Sequence, residues 1–187
     1  EIVEGQPAAA SEIGVTRDLA AGPNSTVIVP VTVNLRPVDQ LKSLQFRVEV
    51  WPDSPGGPMI PERFRALSVS TNDFIRVVTS SESGGPTSFS SAAYANGSTR
   101  GLAITFLGTN ANLSVKSFAV VTMLAVPIPA TAAPGSSYNI AVFNPSGTSD
   151  GVEASVALRT MPWRQIHVST VGYMVGDSSP GTWYNAD

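Results

Sequence analysis

The 187-residue chain carries eleven basic and fourteen acidic residues, 13% of the total, for a net charge of −3. Apolar residues make up 42%, which excludes a disordered charged tail and is enough for one core at this length. Zero cysteines and one histidine, His167, exclude disulfides, thiol catalysis, cysteine-based zinc sites and His-pair metal motifs.

From the N-terminus, the first strong signal is a period of two. In Thr26 to Leu35, Val27, Val29, Val31, Val33 and Leu35 share one face, and Pro30 on the other suits an edge or a bulge. Leu44, Phe46, Val48 and Val50 then alternate with Gln45, Arg47, Glu49 and Trp51, the pattern of a half-buried strand. Ile60 to Ala66 predicts one helical turn, with Pro61 and Glu62 in the first-turn positions. Gly101 to Leu107 alternates again, with Leu102, Ile104 and Phe106 inward. Phe118 to Val126 is almost wholly apolar, as a strand covered on both faces would be. Tyr138 to Phe143, Gly151 to Leu158 and Ile166 to Val175 complete the predicted strands. Turn signals separate them: Gly22-Pro23-Asn24, Pro55-Gly56-Gly57-Pro58, Gly84-Gly85-Pro86, Asn96-Gly97, Pro134-Gly135 and Asp150-Gly151. The expectation is all-β: a β-sandwich of jelly-roll type, about nine strands with little helix.

Catalytic chemistry finds few residues to carry it. His167 alternates with Ile166 and Val168 on a strand, and no Gly-x-Ser-x-Gly elbow accompanies it. The acids are scattered singly, so nothing pairs them for glycoside hydrolysis. Gly84-Gly85-Pro86 lacks the Lys-Ser/Thr of a phosphate loop. No basic block meets nucleic-acid phosphates, and no run nears the roughly 18 apolar residues of a membrane span. The reading is a chain that is not an enzyme, takes no cofactor or metal, and neither binds nucleic acid nor inserts in a membrane. Two lysines against abundant Ser, Thr, Gly and Pro suit a secreted or cell-surface protein. Three binding roles stay open: a protein-binding module, a structural or adhesin spacer, and a carbohydrate-binding module. The last would stack sugars on Trp51, Trp163 or Trp183, with Tyr94 and Tyr184.

The order of segments resembles the cohesin domains, the dockerin-binding receptor modules of cellulosome-like assemblies. Gly22 to Val31 is similar to that family's second strand, and Leu41 to Asp53 to the next, with Trp51-Pro52-Asp53 where the family has a Tyr-Asp-Pro-like corner. Gly101 to Gly108, Phe118 to Val126 with Ala133-Pro134-Gly135, and Val171 to Asp177 resemble later segments in the same order. Trp51 to Arg65 is longer and richer in Pro and Gly than the family usually has. The resemblance implies a non-catalytic, extracellular module that captures a dockerin-bearing partner, with calcium carried by the partner. It implies a binding surface on the family's third, fifth, sixth and eighth strands. Carried residue by residue, that surface is Gln45, Arg47, Glu49, Ser91, Ala92, Tyr94, Ala103 and Thr105, with Asn139 and Ala141 if Tyr138, Ile140 and Val142 face inward. The expected organisation is an N-terminal extension over 1–12 and a cohesin-like sandwich over 13–176. Residues 177–187 read as a linker or the truncated start of a dockerin-like module: Asp177 and Ser179 suit calcium-loop positions 1 and 3, but Gly181 and Asp187 fall out of step.

Overall fold

Period-two alternation needs partner strands, and in the computed structural model, which describes residues 10–67, 88–107, 115–149 and 154–169, it finds them. The first half contains β1 (Ser11–Gly14), β2 (Leu19–Ala21), β3 (Thr26–Asn34), β4 (Gln40–Leu41), β5 (Ser43–Pro52) and β6 (Arg65–Leu67). Then come β7 (Ser88–Asn96), β8 (Thr99–Leu107), β9 (Val115–Lys116) and β10 (Phe118–Pro127). Last are β11 (Ser137–Ser149), β12 (Ala154–Val156), β13 (Leu158–Thr160) and β14 (Arg164–Val168).

One sheet runs β13-β1-β3-β10-β6; the other runs β2-β14-β11-β5-β8-β7, with β12 on β11, and β4 pairs β9 separately. All pairs are antiparallel except β1 with β13 and β14 with β2. The result is an all-β sandwich of jelly-roll type. Fourteen strands among the described residues exceed the nine expected, because β2, β4, β6, β9, β12 and β13 span only two or three residues, too few to show a period. Ser11 and Glu12, expected in an extension, already lie in β1.

The two inner faces meet in a single core. Val29, Val31 and Val33 of β3 and Leu124 and Val126 of β10 face Phe46, Val48 and Val50 of β5, Leu102 and Ile104 of β8, and Tyr138, Ile140 and Val142 of β11. The Phe46 and Phe106 rings meet edge to face at 6.0 Å, an arrangement that favours the positive ring edge over the negative face. Pro30 sits where β1 no longer pairs with β3, since that ladder begins at Thr32. Its β10 partner strand carries a bulge next to it, with Val121 the extra residue between Val120 and Thr122.

Two predicted elements differ. The helical turn at Ile60 to Ala66 is a single β-turn, closed by the Phe64 N–H on the Pro61 carbonyl at 3.0 Å. Arg65 to Leu67 then extends to pair with β10. Ile60 and Phe64 are wholly buried and close one end of the sandwich, so their apolar spacing reflects plugging. The Tyr138 hydroxyl donates to the Pro58 carbonyl at 2.8 Å and Arg100 Nε to the Ile60 carbonyl at 3.2 Å, anchoring this long segment from two strands of the opposite sheet. The predicted strand Gly151 to Leu158 is in fact two, β12 on one sheet and β13 on the other, parted at Ala157; Asp150 to Glu153 lie outside the described residues. So do Thr170 to Val175 of the last predicted strand and Gly84-Gly85-Pro86.

Replacing Phe46 with Ala removes a ring that is 3% exposed and should cost about 3–5 kcal/mol by equilibrium denaturation. Ile28→Ala, at a side chain 46% exposed, should cost about 0.5 kcal/mol or less.

Candidate protein-binding face

β5 lies between β11 and β8, so its outward residues stand in the middle of a sheet face. The register sets three rows across it. Ala92, Ala103, Arg47 and Phe143 make one; Tyr94, Gly101, Glu49 and Ala141 the next; and Trp51, Asn139 and Gln165 a third. Thr105, Gln45 and Ser146 continue the face on the other side of Arg47.

The centre is an arginine among aromatic rings. The Arg47 guanidinium is 5.9 Å from the Tyr94 centroid and 5.9 Å from that of Phe143, within the range of cation–π attraction. Trp51 packs on Phe143 at 6.3 Å with the rings tilted by 45°. Arg47 Nε stands 3.1 Å from Glu49 Oε1, an ion pair in which that N–H makes no hydrogen bond. The Tyr94 hydroxyl donates to the same Glu49 oxygen at 2.9 Å. Gly101 permits this, because a Cβ there would lie 2.0 Å from the Tyr94 ring. Tyrosine thus lies flat across a glycine on the neighbouring strand. Burial, and next the Glu49 carboxylate, push the Tyr94 phenol well above the ordinary tyrosine range.

Beside this cluster a shallow depression of about 240 Å³ is lined by Gln45, Arg47, Ala103, Thr105 and Asn144, with Phe46 and Ile104. Asn144 has φ of 48° and belongs to a bulge: β11 advances from Phe143 to Ser146 while β5 moves only from Arg47 to Gln45. At the far end of the face Asn139 donates to Asp53 Oδ1 at 3.0 Å and accepts from Gln165 Nε2 at 3.3 Å.

The residues expected from the sequence mostly come together. Gln45, Arg47, Glu49, Ala92, Tyr94, Ala103, Thr105, Asn139 and Ala141 share this face. Ser91 does not: it pairs with Ile104, an inward residue, so it lies on the opposite side of the sheet from Ala92. Asn139 and Ala141 are on the face but 7% and 8% exposed, covered by their neighbours. Phe143 and Asn144 were not anticipated. Phe143 could be found as the next outward residue after Ala141, whereas the bulge hides the phase beyond it. His167 is exposed, with Nδ1 3.0 Å from the Ser137 hydroxyl. Among the described residues, no three His, Asp or Glu side chains gather to hold a metal, and no helix is long and apolar enough to cross a membrane.

No family model matches this sequence, and no curated protein matches it. Solved structures do. The OlpA cohesin of a type I cohesin–dockerin complex from Clostridium thermocellum is 16% identical, aligned over 85% of this chain and 99% of its own, with a TM-score of 0.58. The chain has the cohesin fold. The sixth cohesin of scaffoldin B from Acetivibrio cellulolyticus, solved with a Cel5 dockerin, is 18% identical over 86% of this chain and 98% of its own, at a TM-score of 0.55. The cohesin CaCohA2 from Clostridium acetobutylicum, solved in solution, is 18% identical over 86% of this chain and 91% of its own, at 0.53. Within this cohesin fold, β11-β5-β8-β7 holds the strands to which the sequence resemblance assigned a binding surface.

Tyr94 gives the face a spectroscopic handle. Its folded pKa is raised above the unfolded value, near 10. Its contribution to stability is therefore complete below about pH 10 and declines as pH rises beyond it. Gly101→Ala should displace the ring and return one late-titrating tyrosine to about 10 in a phenolate absorbance titration. Tyr138, also raised by burial, should titrate late in both proteins. An unchanged titration in the variant counts against the stacked geometry.

Proposed function

We propose that this chain is a non-catalytic, extracellular module that captures a dockerin-type protein through the outer face of β11-β5-β8-β7. The observation that carries this reading is Arg47 set between Tyr94 and Phe143 in the middle of that face. Arginine and aromatic side chains supply large contact area and directional hydrogen bonds, and they dominate the energetics of protein interfaces. Around them lie small or uncharged side chains, Ala92, Ala103, Thr105 and Gln45, which a partner covers at less desolvation cost than charged ones. Glu49 neutralises the arginine locally, so the face does not depend on a strongly charged partner. Calcium would arrive with the dockerin.

A polysaccharide ligand has less in its favour. Sugar rings stack on free, flat aromatic faces, whereas Trp51 is half-buried and engaged by Phe143. Trp163 is 54% exposed but precedes β14 on a separate segment.

Calorimetric titration with a panel of calcium-loaded dockerins tests the proposal. At least one should bind, and Arg47→Ala and Phe143→Ala should each weaken it by about 10- to 100-fold. Val38→Ala, at a side chain 82% exposed and outside the face, should leave the affinity unchanged. Absence of binding to every dockerin sinks the reading. Retardation on polysaccharide gels that is lost in Trp51→Ala or Trp163→Ala would favour the sugar alternative.

A further inference from the structure

The two main sheets end in strands of very different length. β13, β6 and β2, at three of the four edges, are three residues each, and β13 and β6 carry Arg159 and Arg65. Short and charged edges are how sandwiches avoid edge-to-edge association. β7, at the fourth edge, is nine residues, Ser-Phe-Ser-Ser-Ala-Ala-Tyr-Ala-Asn, with no charge and no proline. Its ladder with β8 is continuous from Ser88·Leu107 to Asn96·Thr99, with no bulge to bend it away. No described strand lies beyond it, and Ser91, Ala92, Ala93 and Ala95 are all exposed.

The hairpin sets which main-chain groups are free. Gly97, at φ of 57°, opens a two-residue loop, so Asn96 and Thr99 form the hydrogen-bonded closing pair. Antiparallel ladders alternate hydrogen-bonded and non-bonded pairs. Asn96, Tyr94, Ala92, Ser90 and Ser88 therefore point their N–H and C=O groups to β8. Ala95, Ala93, Ser91 and Phe89 point theirs away from β8, to the side where no described strand lies.

We infer that β7 is a self-association edge, on which the β7 strand of a second copy of this chain adds antiparallel. The register admits a second copy, and the small, uncharged side chains of β7 suit one. Full overlap of Ser88–Asn96 with itself places Ala92 on the two-fold axis. The free residues then pair among themselves, Phe89 with Ala95 and Ser91 with Ala93, each in the phase that forms two hydrogen bonds. Ala92 meets its own equivalent as a non-bonded pair, the kind whose Cα atoms approach most closely, at about 4.5 Å. A small side chain suits that position. An isologous contact sets every side chain near the axis against its own copy, so a charge there would repel itself, and β7 has none. One added strand is a small interface, below about 1,200 Å², so the dimer is weak, with Kd of roughly tens to hundreds of micromolar. This inference is independent of the dockerin reading, since it concerns the edge of the sheet and not its face.

Sedimentation equilibrium over protein concentrations from about 1 µM to about 1 mM should show a monomer–dimer equilibrium. Ala92→Lys, placing two ammonium groups across the axis, should weaken it by about tenfold or more. Ala93→Pro should do the same by deleting an outward N–H that the β7–β8 ladder does not use. Circular dichroism reports whether each variant folds. A third variant does not depend on weakening the dimer: the chain has no cysteine, so Ala92→Cys carries a sole thiol at the axis. It should oxidise to a covalent dimer about tenfold or more faster than Val38→Cys, because the expected Cα separation falls within disulfide range. A wild-type chain monomeric at every concentration overturns the inference. So does a dimer indifferent to both folded edge variants, or Ala92→Cys cross-linking no faster than Val38→Cys.

Discussion

The alternation of β5 is the constraint on which the other features depend. Leu44, Phe46, Val48, Val50 and Pro52 are buried on one side, and Gln45, Arg47, Glu49 and Trp51 face the other. The same ten residues therefore supply the middle of the core and the middle of the candidate face. A slip of one residue would exchange the two sets, sending an arginine and a glutamate inward. Burial of Phe46 against Phe106 thus holds the phase that brings Arg47 beside Tyr94 and Phe143. The core and the candidate face share one register.

That register also shows why much of the fold was legible from residue order. β3, β5 and β8 each run nine or ten residues, long enough for a period of two to stand out, and the residues the alternation named as inward pack in the core. The jelly-roll sandwich follows from such strands punctuated by Gly and Pro. The short strands escaped because two or three residues carry no period. The turn at Ile60 was misread because Pro61 and Glu62 satisfy the chemistry of a helix start, while the burial of Ile60 and Phe64 that decides the matter is tertiary.

The candidate face was legible in part, for reasons specific to each strand. On β5 and β8, alternation alone picked out Gln45, Arg47, Glu49, Ala103 and Thr105. On β7 the small residues Ser91 to Ala93 offer no contrast between the two sides, so Ser91 was grouped with a face it does not share. On β11 the bulge at Asn144 breaks the phase only beyond Phe143, so Phe143, which completes the aromatic surround of Arg47, was within reach of the alternation that gave Asn139 and Ala141. Contacts between strands, such as Tyr94 over Gly101, depend on pairing that no single segment records.

The chain passes between the sheets twice along nearly the same track. Early on it leaves β1 for β2 through Val15 to Asp18, and later it leaves β13 for β14 through Met161 to Trp163. The two crossings are joined: Met161 N–H donates to the Ile13 carbonyl at 2.8 Å, and the Gln165 N–H to Asp18 Oδ1 at 2.8 Å. The Met161 side chain fills the space where Gly14 lacks a Cβ. Sliding or rotating one sheet over the other would have to break both crossings together, along with the parallel ladders on either side of them. The position of β14, at one side of the candidate face, is thereby tied to β1 in the facing sheet by the fold itself. Ordering these crossings is part of folding, so an association on the candidate face would not have to supply that entropy again.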